Sequence, residues 1–159
     1  MKELLLILLL TLPITLAAQN LSANQLLAIY NKDEEQTDTY LEQRGWERTQ
    51  SEDPVVKKTW AFGHAMMQNS MEYGAEAWLS RITTDVEGLA ISYTFPSQEK
   101  FAAFRQQMLA MGMKRVAYTS DNKEIVATYQ GANYQIKLYT TLRERLDDNN
   151  TYALRLTHR

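Results

Sequence analysis

The sequence predicts an α+β fold: two tandem helix-plus-four-stranded antiparallel sheet units, with the helices packed on one sheet face. Three observations lead there. Apolar residues alternate with polar ones at period two in Leu89–Phe95, Tyr134–Leu138 and Tyr152–Leu156, the signature of antiparallel strands with one buried and one wet face. Helix-type spacing precedes such strands twice, and helices laid on an antiparallel sheet make an α+β layer. The order of elements also repeats. Gly45–Arg48, Thr59–Phe62 and Leu89–Thr94 are followed in the same order by Gly112–Arg115, Val126–Tyr129 and Tyr152–Thr157. A repeat of order at low identity is the mark of an internal duplication.

The chain opens with Met1-Lys2-Glu3, an apolar run from Leu4 to Leu12, Pro13, and the small-residue exit Ala17-Ala18-Gln19. That is the layout of a cleavable signal peptide spanning residues 1–18. The run is too short to span a bilayer, which needs about 20 apolar residues. The expected units are then residues 19–95 and 96–159, packed as one compact body. In the first, Ser22 and Gln25 form a capping box flanked by Leu21 and Leu26, so a short helix should run through Leu26, Leu27, Ile29 and Tyr30. A second helix is expected over 33–44, stopped at Gly45. In the second unit Pro96-Ser97 should start a helix with Phe101, Phe104, Met108 and Met111 on one stripe, ended by Gly112. Gln130–Asn133 and Asp85–Gly88 read as hairpin turns.

Composition narrows the function. There are 17 Lys+Arg against 19 Asp+Glu, a net charge of −2, no cysteine and two histidines among 159 residues. The absence of a basic block argues against nucleic acid as a partner. Lack of cysteine removes disulfides, thiolate metal sites and Cys nucleophiles. An exported chain held by its core alone suggests a bacterial periplasmic or secreted protein, with no stable membrane insertion after the leader is removed.

The run Leu26–Tyr30, the pair Gly45-Trp46, and Ile91-Ser92-Tyr93 leading through Glu99, Phe101 and Phe104 to Gly112-Met113 form one pattern with the Ala-Ala-Gln exit. It resembles small exported proteins of Bacteroidetes-type bacteria. The resemblance covers most of the chain and implies the export route and the helix-plus-sheet layout, with no activity or functional residues attached. In layout alone, the tandem units also resemble the secreted β-lactamase inhibitory protein, although no motif is shared and the cysteines are missing.

No G-x-S-x-G, H-E-x-x-H or phosphate-cradling loop is present, so no catalytic residue is expected and the reading is non-enzymatic. The first unit carries about ten extra residues between Phe62 and Ala77, and long connections tend to bind partners. Its His64, Met66, Met67 and Met71 are soft donors that suit Cu(I), making copper the alternative cofactor; the same methionines also serve at protein contacts. The expected binding surface is Trp60, His64, Met66, Met67, Met71 and Tyr73, together with Ser92, Thr94, Lys137, Tyr139 and Arg155 on the wet face. The expected partner is an envelope or extracellular protein, in an inhibitor-like or immunity-like role.

Overall fold

The computed structural model describes residues 20–49, 56–62, 65–66, 73–74, 77–84, 88–142 and 150–159, with backbone alone at 56, 57, 65, 66, 73, 74 and 84. The expected leader and the Asp85–Glu87 part of a predicted turn lie outside these residues.

The fold is α+β. The elements run α1 (Ala23–Tyr30), α2 (Glu34–Glu42), β1 (Trp46–Thr49), β2 (Val56–Phe62), β3 (Ala65–Met66), β4 (Tyr73–Gly74), β5 (Ala77–Thr84), β6 (Gly88–Phe95), α3 (Gln98–Ala110), β7 (Lys114–Ser120), β8 (Glu124–Gln130), β9 (Tyr134–Thr141) and β10 (Thr151–His158). Eight strands form one antiparallel sheet in the order β1-β2-β5-β6-β10-β9-β8-β7. The sequence left open whether the two halves share a sheet. They do, and the seam is β6 against β10, with Tyr93 opposite Leu154 and Ile91 opposite Leu156. β3 and β4 pair separately, Ala65 opposite Gly74 and Met66 opposite Tyr73.

Local chemistry sets the helix ends. Ser22 Oγ accepts from the Gln25 amide at 3.3 Å, and Gln25 Oε1 accepts from the Ser22 amide at 2.8 Å. The reciprocal bonds satisfy donors that a helix start otherwise leaves unmet. Asp33 Oδ1 caps α2 through the Gln36 amide at 2.8 Å, and Ser97 Oγ caps α3 through Lys100. α2 and α3 are followed by Gly45 and Gly112 at φ +78° and +81°, the left-handed region that suits glycine. Met111 departs from the expected stripe. It is the C-cap of α3, outside the helical turn, and is 39% exposed, so the buried face of α3 ends at Met108.

Strand register assembles the core. Trp60, Leu79, Tyr93, Leu154 and Leu138 stand directly opposite one another across five strands, and all are buried. Leu26 and Ile29 of α1, Leu41 of α2, and Phe104 and Met108 of α3 join the same apolar cluster. Phe95 packs edge-on against Phe101 and Phe104 at 5.4 and 5.2 Å, and Tyr30 against Tyr134 at 5.5 Å. Trp60 Nε1 donates to Asp38 Oδ1 at 2.9 Å, and Tyr30 donates its hydroxyl to the Leu89 carbonyl at 2.9 Å. Asp38 also receives Lys58 at 3.2 Å and Arg48 at 3.6 Å, while Lys58 bonds Glu34. The Glu34 bond raises the Lys58 pKa, burial opposes the rise, and Asp38 adds to it.

Tyr93 lies at the centre of the row. Burial pushes its phenol up to about 12, only partly countered by the Leu21 backbone, to which the hydroxyl makes no well-formed hydrogen bond. A raised native pKa favours the neutral phenol. The unfolded chain therefore ionises first, near 10.0, and stability falls as pH climbs from there toward 12. Tyr93→Phe should leave stability at pH 7 unchanged or higher by up to about 1 kcal/mol, since an unsatisfied buried hydroxyl is removed. Relative to the variant, the wild type should lose about 2 kcal/mol across the alkaline window. Urea midpoints at neutral and alkaline pH check both; Lys58, also raised, sheds its contribution at alkaline pH in either protein.

Candidate functional site

The helix contacts named above fall on sheet residues of one face, the face of Trp60, Phe95 and Tyr134. The alternate residues form the other face. One row across it runs Thr59, Ser80, Ser92, Arg155, Lys137 and Thr128, each directly opposite the next. A neighbouring row contains Ala61 opposite Trp78, then Thr94 opposite Ala153, Ala153 opposite Tyr139, and Tyr139 opposite Val126. The Trp78 amide donates to Thr94 Oγ1 at 2.8 Å, which links the two parts of this row.

Side-chain size gives the face a relief. Trp78 and Tyr139 stand on β5 and β9, with Thr94 and Ala153 between them on β6 and β10. Three strand spacings place the two rings about 14 Å apart. Two small residues between two large ones leave a shallow trough along β6 and β10, floored in the adjacent row by Ser92 and Arg155. The small hydroxyls are tied to their neighbours: Thr59 Oγ1 lies 3.2 Å from Ser80 Oγ, and Ser92 donates to the Leu154 carbonyl at 3.4 Å.

The centre of this face is cationic. Arg155 and Lys137 stand directly opposite each other. Among the described residues the acids of this face lie toward its margins: Glu47 on β1, opposite Ala61 at the end of the second row, and Glu124 at the start of β8. Like charges placed opposite across a ladder are by themselves destabilising, and Arg155 has a further interaction besides this one.

No family model, curated protein or solved structure matches this chain.

A cleft of about 160 Å³ between the start of α1 and α3 is lined by Asn20, Ser22, Phe95, Lys100, Phe104 and Gln107, small beside the 300 Å³ or so of a typical ligand pocket. A hollow of about 340 Å³ on α2, lined by Lys32, Gln36, Tyr40 and Gln43 among others, is an open surface. Among the described residues no three His, Asp or Glu side chains converge on a metal-sized site.

The predicted site residues divide into three groups. Ser92, Thr94, Lys137, Tyr139 and Arg155 are brought together, with Ser92, Arg155 and Lys137 adjacent in one row. Trp60 is a correction: it points to the helices, is fully buried and is bonded to Asp38, so it cannot serve as a contact surface. Thr59-Trp60-Ala61 alternates as a strand should, but nothing local told which phase faced the core. Met66 and Tyr73 oppose each other in the β3–β4 ladder, while His64, Met67 and Met71 lie outside the described residues. Trp78 and Ser80 were missed as face residues. The signal was the alternation Trp78-Leu79-Ser80, obscured because a tryptophan occupies the outward phase.

Lys137→Glu would turn the like-charge pair into an opposite one. It should raise stability by about 0.2–1 kcal/mol at low salt, and the gain should shrink as salt screens it. Thermal melts of both proteins at two ionic strengths check this.

Proposed function

We propose that the chain is an exported, non-enzymatic binding module. Its sheet face opposite the helix contacts holds an extended or looped segment of an envelope or extracellular protein, in the manner of an inhibitor or immunity protein. The observation that carries the reading is the trough between Trp78 and Tyr139 over Ser92, Arg155 and Lys137. Aromatic and arginine side chains are the residues that dominate binding energy at protein interfaces. The small polar floor supplies the rest, and the two cations favour an acidic segment. Export rests on the leader-like residues 1–18; among the described residues no helix is long and apolar enough to cross a membrane.

The strand order also supports an internal duplication into 19–95 and 96–159. β1-β2-β5-β6 and β7-β8-β9-β10 are two meanders of the same sense, each preceded by helix and joined through its last strand. In this reading the helices of both units share one sheet face, and the opposite face carries the proposed contact.

The test is a comparative capture from bacterial envelope extract. A partner retained by the wild type and by the α2 surface variant Lys32→Glu should be lost at least about 30-fold with Lys137→Glu/Tyr139→Ala, the scale of losing a hot spot. Equal capture by all three proteins, or no specific capture by any, rejects the reading.

The alternative is a periplasmic copper carrier. The β3–β4 ladder favours it to this extent: it brings the backbone of Ala65–Met66 beside that of Tyr73–Gly74, at the base of the His/Met segment. On this reading His64, Met66, Met67 and Met71 hold one Cu(I). Competition titration should then show one tight equivalent, abolished by His64→Ala/Met66→Ala/Met71→Ala; absence of binding by the wild type ends it.

A further inference from the structure

We propose that β7 is a self-association edge, through which two copies pair antiparallel and continue one sheet across both molecules. β7 is the outermost strand on its side of the sheet, and all seven of its residues are exposed. The opposite edge differs. β1 has four residues, Trp46 is buried in the core, and Arg48 pairs with Asp38 of α2. Short length and a covering helix are the usual protection of a sheet edge. β7 has neither.

Exposed apolar surface collects at the same place. Among the described residues the large apolar side chains that stand out are Leu109, Met111, Val116 and Tyr118, at 40, 39, 53 and 55% exposure. They all fall within the end of α3 and the β7 strand that follows it. The stretch Val116–Ser120 is uncharged and rich in residues that favour strands. Such an edge is a template for another strand.

Charge selects the occupant and its direction. β7 begins with Lys114 and Arg115 and is followed by Asp121, with Glu124 just beyond. Asp121 is held in its charged form by bonds from the Lys123 and Glu124 amides at 2.7 Å, which lower its pKa. An antiparallel second copy lays the basic start of each strand beside the acidic end of the other. A parallel copy would set like charges together. The device that opposes pairing is a bulge at Val116, where the register against β8 shifts, and Arg115 lies 5.6 Å over the Tyr118 ring. Both act at the basic end and leave Ala117–Ser120 regular. The two-fold axis relating the copies is perpendicular to the sheet, so the corresponding faces of both copies look the same way. The inference does not depend on what those faces bind.

The test is the mass of the purified protein by sedimentation across about 1 to about 300 μM, well within the range where interfaces of modest size associate. The wild type is expected to form a dimer. Val116→Lys/Tyr118→Lys, at two exposed positions, should weaken it at least tenfold without changing the circular dichroism spectrum or melting temperature. Lys114→Glu should weaken it by a smaller factor, and raising salt from about 0.05 to about 0.5 M should do the same to the wild type. A monomer at every concentration, or association unchanged in the double-lysine variant, overturns the proposal. So does open-ended aggregation in place of a closed dimer.

Discussion

The constraint on which the structure depends is the filled row Trp60–Leu79–Tyr93–Leu154–Leu138. Five strands contribute one buried side chain each at the same level, so the register of all five is set together. A one-residue slip in any of them would send its apolar set to the uncovered side and a polar set into the core. The rest follows from that. Helix caps fix where α1, α2 and α3 begin, but the helices become stable by burying Leu26, Leu41 and Met108 against this row, since segments of this length are marginal alone in water. With no disulfide in the chain, burial carries the stability that small secreted domains often draw from covalent links.

The same register fixes the composition of the other face. Because alternate residues are committed to the core, positions 78, 80, 92, 94, 137, 139, 153 and 155 fall on the opposite face, each half-buried. They hold two rings, two cations and small hydroxyl or methyl side chains. Hydrophilicity would have been satisfied by any mixture of Lys, Glu and Thr. Acids kept to the margins, and an arginine placed opposite a lysine at the centre, are harder to derive from folding. They are easier to derive from contact with something anionic and extended.

Much of this was readable from the residues, for identifiable reasons. Ser22/Gln25, Asp33 and Ser97 announce helix starts because capping is local chemistry within four residues. Gly45 and Gly112 announce helix ends because the left-handed conformation is. Strict alternation in 89–95, 134–138 and 152–157 gave strands and the correct phase, so Ser92, Lys137 and Arg155 were placed on one face before any coordinates. Trp60 failed because it is a large ring in an alternating strand, and the inward phase is decided by Leu79 and Tyr93 on other strands, which no short window of sequence contains. Trp78 was missed although its neighbours Leu79 and Ser80 carry the alternation, because a tryptophan holds the outward phase. Met111 failed because helical spacing continues past the last helical residue. The union of both halves into one sheet was unreadable in principle, since it depends on β6 meeting β10 some sixty residues later.

That meeting has a temporal consequence. The final strand of the chain is a middle strand of the sheet, flanked by β6 on one side and β9 on the other. β1-β2-β5-β6 and β7-β8-β9 can each form from neighbours in sequence, but the two groups join only when β10 docks between β6 and β9. Non-local closure of this kind is slow. The same arrangement makes β10 the keystone: a change that weakens it parts the sheet in the middle and leaves both margins intact.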